Sequence, residues 1–103
     1  MSFETILTDL NNEGLAVLTL NRPDKRNAVS IQMRREISSC LTAWKADPAV
    51  RVIVLTGSGD AFTAGFDLGE FKIPALIHDL YSTSSAYHRD IWYFPKPTIA
   101  AVN

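Results

Sequence analysis

Between Asp47-Pro48 and a glycine-rich turn lies VRVIVLTG, Val50 to Gly57, a near-continuous apolar run. At this length the run reads as a strand, and its lack of alternation predicts one covered on both faces, as in parallel sheets. Upstream, Ser30 is a helix cap. Met33, Ile37, Cys40, Leu41 and Trp44 then recur at helical spacing, with Arg34, Arg35, Ser38 and Lys45 expected on the other faces. Asp47-Pro48 should stop this helix, because proline disfavours helical geometry in the residue before it. Before it, FETILTDL and LAVLTLN flank the turn residues NNEG and predict a β-hairpin, and RPDKRNAVS reads as a loop. Strand, helix and buried strand in this order give an α/β fold class.

Beyond the apolar run, Asp67 and Glu70 match a capping box for a short helix. A weaker helical stripe follows at Leu76, Leu80, Ser84, Tyr87 and Ile91. The STSS at its centre predicts a break or mobility there. PTIAAVN is again apolar and strand-like, reads as a core strand, and reaches Asn103 without a turn or cap, which leads us to expect that the natural domain continues.

Bulk composition excludes several functions. With 10 Lys+Arg against 11 Asp+Glu and scattered basic residues, nothing favours nucleic acid or an anionic membrane. No apolar run reaches the roughly 20 residues that span a bilayer, and no secretory leader is recognisable. A single cysteine, Cys40, excludes an internal disulfide and fits a reducing compartment, so a cytoplasmic location is expected. His78 and His88 lack neighbours at metal-ligand spacing, so no metal is expected. Trp92, Tyr93 and Phe94 are consecutive and cannot all face one core; part of this cluster could line a pocket or interface.

The segment Asp60–Phe71, DAFTAGFDLGEF, is nearly bare backbone. A dinucleotide-type G-x-G-x-x-G fails at Phe62, and the lysine of a nucleoside-triphosphate loop is missing. Thr63–Leu68 leaves two readings open. It is a tight strand-to-helix turn, or Ala64 and Gly65 let a ligand approach N–H groups near Asp67 that stabilise an oxyanion.

LTLNRPDKRNAVS, VRVIVLTGSGDAFTAGFDLGEF and PKPTIAAVN, taken in order from about Ala16 to Asn103, resemble the enoyl-CoA hydratase/isomerase family, the crotonases. The resemblance implies a crotonase-like spiral of β-β-α units, of which residues 1–103 would be the N-terminal portion of a single domain. It implies homotrimers or hexamers of the full-length chain. It also implies an acyl-CoA substrate whose thioester carbonyl sits between two backbone N–H groups, with coenzyme A entering as part of the substrate and no separate cofactor. By this resemblance the first donor is the N–H of Phe66. The loop around Arg26, Asn27 and Ala28, with Ala64, Gly65, Asp67 and Leu68, would shape the CoA-binding cleft.

The family's second donor follows AAVN, and its acid/base carboxylates lie further on, so none is named among these residues. Many members also carry a basic residue where this chain has Gly69; Lys25 or Lys72 could substitute. The activity implied is 2-enoyl-CoA hydration. Double-bond isomerisation, thioester hydrolysis and aryl-CoA dehalogenation are close alternatives, and a non-catalytic acyl-CoA-binding or scaffold protein is the alternative of another class. Phe66 and the aromatics at 92–94 lean toward a bulky or aromatic acyl group. The 103 residues alone should be a poor enzyme.

Overall fold

The computed structural model describes residues 2–103. Strands β1 (Ile6–Leu10) and β2 (Leu15–Leu20) form the expected hairpin, in the register Ile6↔Leu20 to Leu10↔Ala16. Asn11 shapes its turn, with Oδ1 accepting from the N–H groups of Glu13 and Leu15. Helix α1 (Ile31–Ala46) carries the chain to β3 (Val52–Gly57), which pairs parallel to β2 from Leu15↔Val52 to Leu20↔Gly57. Helix α2 (Ile77–Trp92) leads to β4 (Thr98–Ala100), parallel to β3, completing a four-stranded sheet in the order β1-β2-β3-β4. The chain thus contains one β-β-α unit, β1-β2-α1, followed by β3, α2 and β4.

One face of the sheet is covered by the helices. Ile6, Ala16, Leu18, Leu20 and Ile53 form a single core with Met33, Ile37, Cys40, Leu41 and Trp44, so the whole α1 stripe is buried as its spacing required. Burial pushes the Cys40 thiol up to about 12, which leaves it an inert core side chain at neutral pH. Ser30 caps α1, its hydroxyl accepting from Met33 N–H at 3.1 Å. The helix ends at Ala46, and its last carbonyls are met from far along the chain. Lys96 Nζ donates to the carbonyls of Trp44 (2.8 Å) and Asp47 (2.7 Å), placing a cation where the helix dipole favours one.

Several expectations are corrected. In β3 only Ile53 is fully buried, and its neighbours are half-buried, so the strand is not covered on both faces. Strand β4 is an exposed edge rather than a core strand. Arg34, expected on an outer face of α1, is 1% exposed, because α2 packs over that side of the helix. The STSS segment does not break α2. Thr83 Oγ1 donates to the carbonyl of Asp79 at 2.6 Å, and the Leu80–Thr83–Tyr87 face is buried, so tertiary packing outweighs weak propensity.

The capping box is also absent. A 3₁₀ turn starts only at Glu70, whose carboxylate accepts instead from Ile31 N–H, at 3.0 Å to Oε1. Glu70 therefore caps α1, 39 residues away in sequence. In the aromatic cluster, Phe94 packs on the core while Trp92 and Tyr93 are exposed.

Glu36 ties the start of the chain to α1. Burial pushes its carboxyl up, but hydrogen bonds from Thr5 Oγ1, from the N–H groups of Glu4 and Thr5, and from Gln32 prevail and hold it below the usual 4.5. A carboxylate depressed in the folded state adds stability that is present above its unfolded pKa and lost as pH falls through the folded one. Glu36→Gln should therefore flatten the loss of stability below about pH 4.5 in urea titrations. Superimposable pH profiles for the two proteins would overturn this.

Candidate active site

Because β2 and β3 are adjacent and parallel, the loops that follow them leave the sheet side by side. The carboxyl ends of parallel strands are where open α/β sheets place their ligands. The first loop opens with a 3₁₀ turn over Pro23–Lys25 and then holds Arg26 and Asn27 at φ 51° and 56°. Left-handed geometry suits asparagine better than most residues. The Asn27 side chain repays the strain: Oδ1 accepts from Arg22 N–H (2.7 Å), and Nδ2 donates to the carbonyls of Ser58 (2.9 Å) and Ala61 (2.8 Å).

Further bonds lace the loops together. Ala64 N–H donates to the Arg26 carbonyl (2.9 Å), and Thr63 Oγ1 donates to that of Asn27 (2.7 Å). Arg22 reaches across both, with Nη1 on the Ala28 carbonyl (2.6 Å) and Nη2 on Asp67 Oδ2 (3.2 Å). Gly57 allows the second loop to fold back this closely. A Cβ there would sit 2.4 Å from the Phe62 carbonyl oxygen.

A short parallel bridge joins Val29 to Phe66. Val29 N–H donates to the Gly65 carbonyl (2.8 Å), and Asp67 N–H donates to the Val29 carbonyl (3.4 Å). In a parallel ladder the residue between those two groups turns its own N–H the opposite way. The Phe66 N–H accordingly faces away from Val29 and has no hydrogen-bond partner among the described residues. Beside it, Gly65 adopts φ +94°, and a Cβ there would meet nothing within 4 Å. Glycine is needed for the backbone angle, and the space above it is open. The exposed donor thus arises from strand-like pairing and not from a helix terminus at Asp67. The Asp67 side chain is occupied on both oxygens, Oδ1 accepting from Gly69 N–H at 3.0 Å.

All the residues expected at the cleft come together here, in different roles. Phe66, Gly65, Ala64 and Leu68 present accessible surface, with Leu68 74% exposed. Arg26 is exposed at the rim. Asn27 is fully buried, so it acts by holding the loop; Asp67 and the carbonyl of Ala28 are anchored by Arg22. Sequence reasoning missed Arg22 and the roles of Thr63 and Glu70, although all lie inside the quoted motifs. It also missed Arg34, whose spacing from Ile37 and Leu41 already placed it at the edge of the apolar stripe.

Under the ring of Phe66 opens a cavity of about 190 Å³. Phe66, Phe71, Ile77, Leu80 and Tyr81 make most of its wall, and Arg34 and Ser84 supply the polar groups. His78 and His88 lie exposed on α2, and no cluster of three or more His, Cys, Asp or Glu occurs among the described residues. Nor is any helix among them long and apolar enough to cross a membrane.

The chain is similar to known proteins over most of its length. Hydroxycinnamoyl-CoA hydratase-lyase of Pseudomonas fluorescens is 40% identical over 98 residues, covering 88% of this chain and 36% of that protein. Crotonyl-CoA hydratase of Syntrophomonas wolfei is 37% identical over 106 aligned positions, covering 100% and 40%. The crystal structure of an enoyl-CoA hydratase/isomerase from Xanthobacter autotrophicus Py2 superposes with a TM-score of 0.90 at 34% identity, over 99% of this chain and 39% of that one. The chain therefore spans about two fifths of the length of these relatives, and its fold is the matching part of the crotonase fold. The family pattern described as Enoyl-CoA hydratase/isomerase matches residues 10–103, and the chain belongs to that family.

Proposed function

We propose that the complete protein is an enzyme of acyl-CoA thioesters that hydrates a 2-enoyl-CoA, with the Phe66 N–H as one donor of its oxyanion hole. The observation that carries this reading is the unpartnered Phe66 N–H beside the open approach over Gly65. In hydration, water gives up a proton as its oxygen bonds to Cβ, and the double-bond electrons shift through Cα to leave an enolate with its charge on the thioester oxygen. A proton then reaches Cα as the enolate collapses. A rigid N–H aimed at that oxygen stabilises the charge as it develops. Hydrogen bonding between the loops fixes the donor in advance, so little reorganisation is needed during reaction.

Coenzyme A enters as part of the substrate, its phosphates meeting exposed cations such as Arg26, Lys25 or Lys72 at the rim. Arg26, Ala28, Ala64, Gly65 and Leu68 line its path, while Asn27 and Asp67 hold that path in shape. The nearby carboxylates are engaged, Asp67 by Arg22 and Glu70 by Ile31 N–H, so acid/base catalysis falls to groups outside these residues. The 103 residues alone are then a poor catalyst. Cytoplasmic location and assembly as a homotrimer or hexamer belong to the same proposal.

The engaged carboxylates equally suit a non-catalytic acyl-CoA binder, and one pair of measurements separates the two. Hydration of crotonyl-CoA is followed by loss of enoyl-thioester absorbance, and binding of butyryl-CoA by calorimetry, both on the complete protein. Turnover with crotonyl-CoA supports the enzyme. Butyryl-CoA binding without turnover supports the binder, and failure to bind sinks both.

A further inference from the structure

Arg34 is the least exposed charged residue in the core, at 1%, yet it forms no ion pair among the described residues. Arginine cannot shed its proton to escape burial. A buried charge without a counter-charge is costly unless something pairs with it. Nη1 is satisfied, donating to the Leu80 carbonyl (3.0 Å) and to Thr83 Oγ1 (3.3 Å). The guanidinium carbon stands 4.8 Å from the centroid of the Phe66 ring, a cation–π contact that offsets part of the cost. Nε and Nη2 are buried and have no hydrogen-bond partner among the described residues. These atoms are not scattered. They form one edge of the planar guanidinium, the side-on edge whose parallel N–H groups match the two oxygens of a carboxylate.

The same side chain lies in the wall of the cavity under Phe66. The cavity measures about 190 Å³ and is otherwise mostly apolar. An engineered apolar cavity of about 150 Å³ takes benzene, so a short chain or one ring fits here. Phe66 belongs to both places, with its ring in the cavity and its N–H in the thioester site. The residue that offers the donor is thus also part of the cavity wall.

We infer that this cavity is the acyl subsite, and that Arg34 selects acyl groups with an apolar body and a terminal carboxylate. The inference rests on the acyl-CoA reading above and adds the substrate class. Nε and Nη2 are closed off, with the Phe66 ring over the guanidinium, so a carboxylate reaches them only as that ring turns aside. It then pairs the edge and neutralises the buried charge, whereas a neutral chain end leaves both uncompensated. Arg34 touches the acyl end and not the reacting carbons, so it determines specificity without taking part in the chemistry.

The test compares calorimetric binding of adipoyl-CoA and hexanoyl-CoA, which share chain length and differ in the terminal carboxylate. Both are measured on the complete protein and on Arg34→Met. The natural protein should favour adipoyl-CoA by about tenfold or more, the range for hydrogen bonds to a charged group. Arg34→Met should abolish or invert that preference. Equal or tighter binding of hexanoyl-CoA by the natural protein would overturn the inference and leave the acyl-CoA reading standing. It would mean that a carboxylate of the chain itself serves Arg34. An adipoyl preference that survives Arg34→Met would also overturn it. Should neither ligand bind, the acyl-CoA reading fails and the inference with it. If Arg34→Met does not fold, Arg34→Gln replaces it, and the ratio in the natural protein still decides.

Discussion

On the hydratase reading proposed above, Phe66→Pro should lower the kcat of the complete protein by about 10²–10³, the usual loss for one oxyanion donor. Proline removes the N–H and keeps an apolar side chain. The backbone geometry makes the substitution cleaner than it first looks. The bridge to Val29 uses the Gly65 carbonyl and the Asp67 N–H, so deleting the Phe66 N–H breaks none of its hydrogen bonds. Circular dichroism and an unchanged urea midpoint would show that the loop survives. Phe66→Ala keeps the N–H and loses the ring, and it should retain far more of kcat than the proline variant. Equal losses from both would place the donor elsewhere and give Phe66 a packing role only.

Asn27→Ala should destabilise the protein by about 3–5 kcal/mol, a large share of the about 5–15 kcal/mol typical of a folded domain. It leaves Arg22 N–H without its acceptor and the carbonyls of Ser58 and Ala61 without their donor. Stranded polar groups in buried surroundings cost about 1–3 kcal/mol each, less where a loop relaxes toward water. Alanine at φ 56° adds strain that asparagine tolerates better. Urea unfolding of the complete protein, with unchanged m, is the measurement. A loss below about 1 kcal/mol would mean that the loops hold together without this side chain. Acyl-CoA binding should weaken in parallel, because the same bonds keep Ala64, Gly65 and Phe66 in place.

The two variants probe different levels of one device. Asn27 fixes where the loop lies, and the bridge at Phe66 fixes which way an N–H points. Both belong to segments that resemble a known family, yet their roles differ in kind. Asn27 is fully buried and cannot reach a ligand, although the motif alone places it in the cleft beside Arg26 and Ala28. Asp67 is similar: its carboxylate spans Arg22 and Gly69 N–H and organises the loop from behind. A motif marks residues that matter together and does not separate those that touch a ligand from those that hold others in position.

Local pattern accounts for much of the architecture. The 3.6-residue stripe of α1, its Ser30 cap and its stop before Pro48 follow from residues within a few positions of one another, as does the Asn11 turn of the hairpin. Those features depend on short-range sterics and hydrogen bonding, which sequence spacing encodes directly. The motifs likewise brought the Arg26–Ala28 and Ala64–Leu68 stretches together as one site.

Where a residue's partner lies far along the chain, only the tertiary structure decided the outcome. Glu70 has the spacing of a local cap, yet it caps α1, because packing brings Ile31 N–H to its carboxylate. The STSS stretch stays helical because α1 supplies a buried face for Thr83. Arg34 is buried by a helix whose contacting carbonyl, at Leu80, is 46 residues away. The Phe66 N–H has no partner among the described residues because Val29, from another loop, pairs with the residues on either side of it. Periodicity reports which face of an element is apolar; what covers that face, and which polar groups are left over, depends on how distant segments meet.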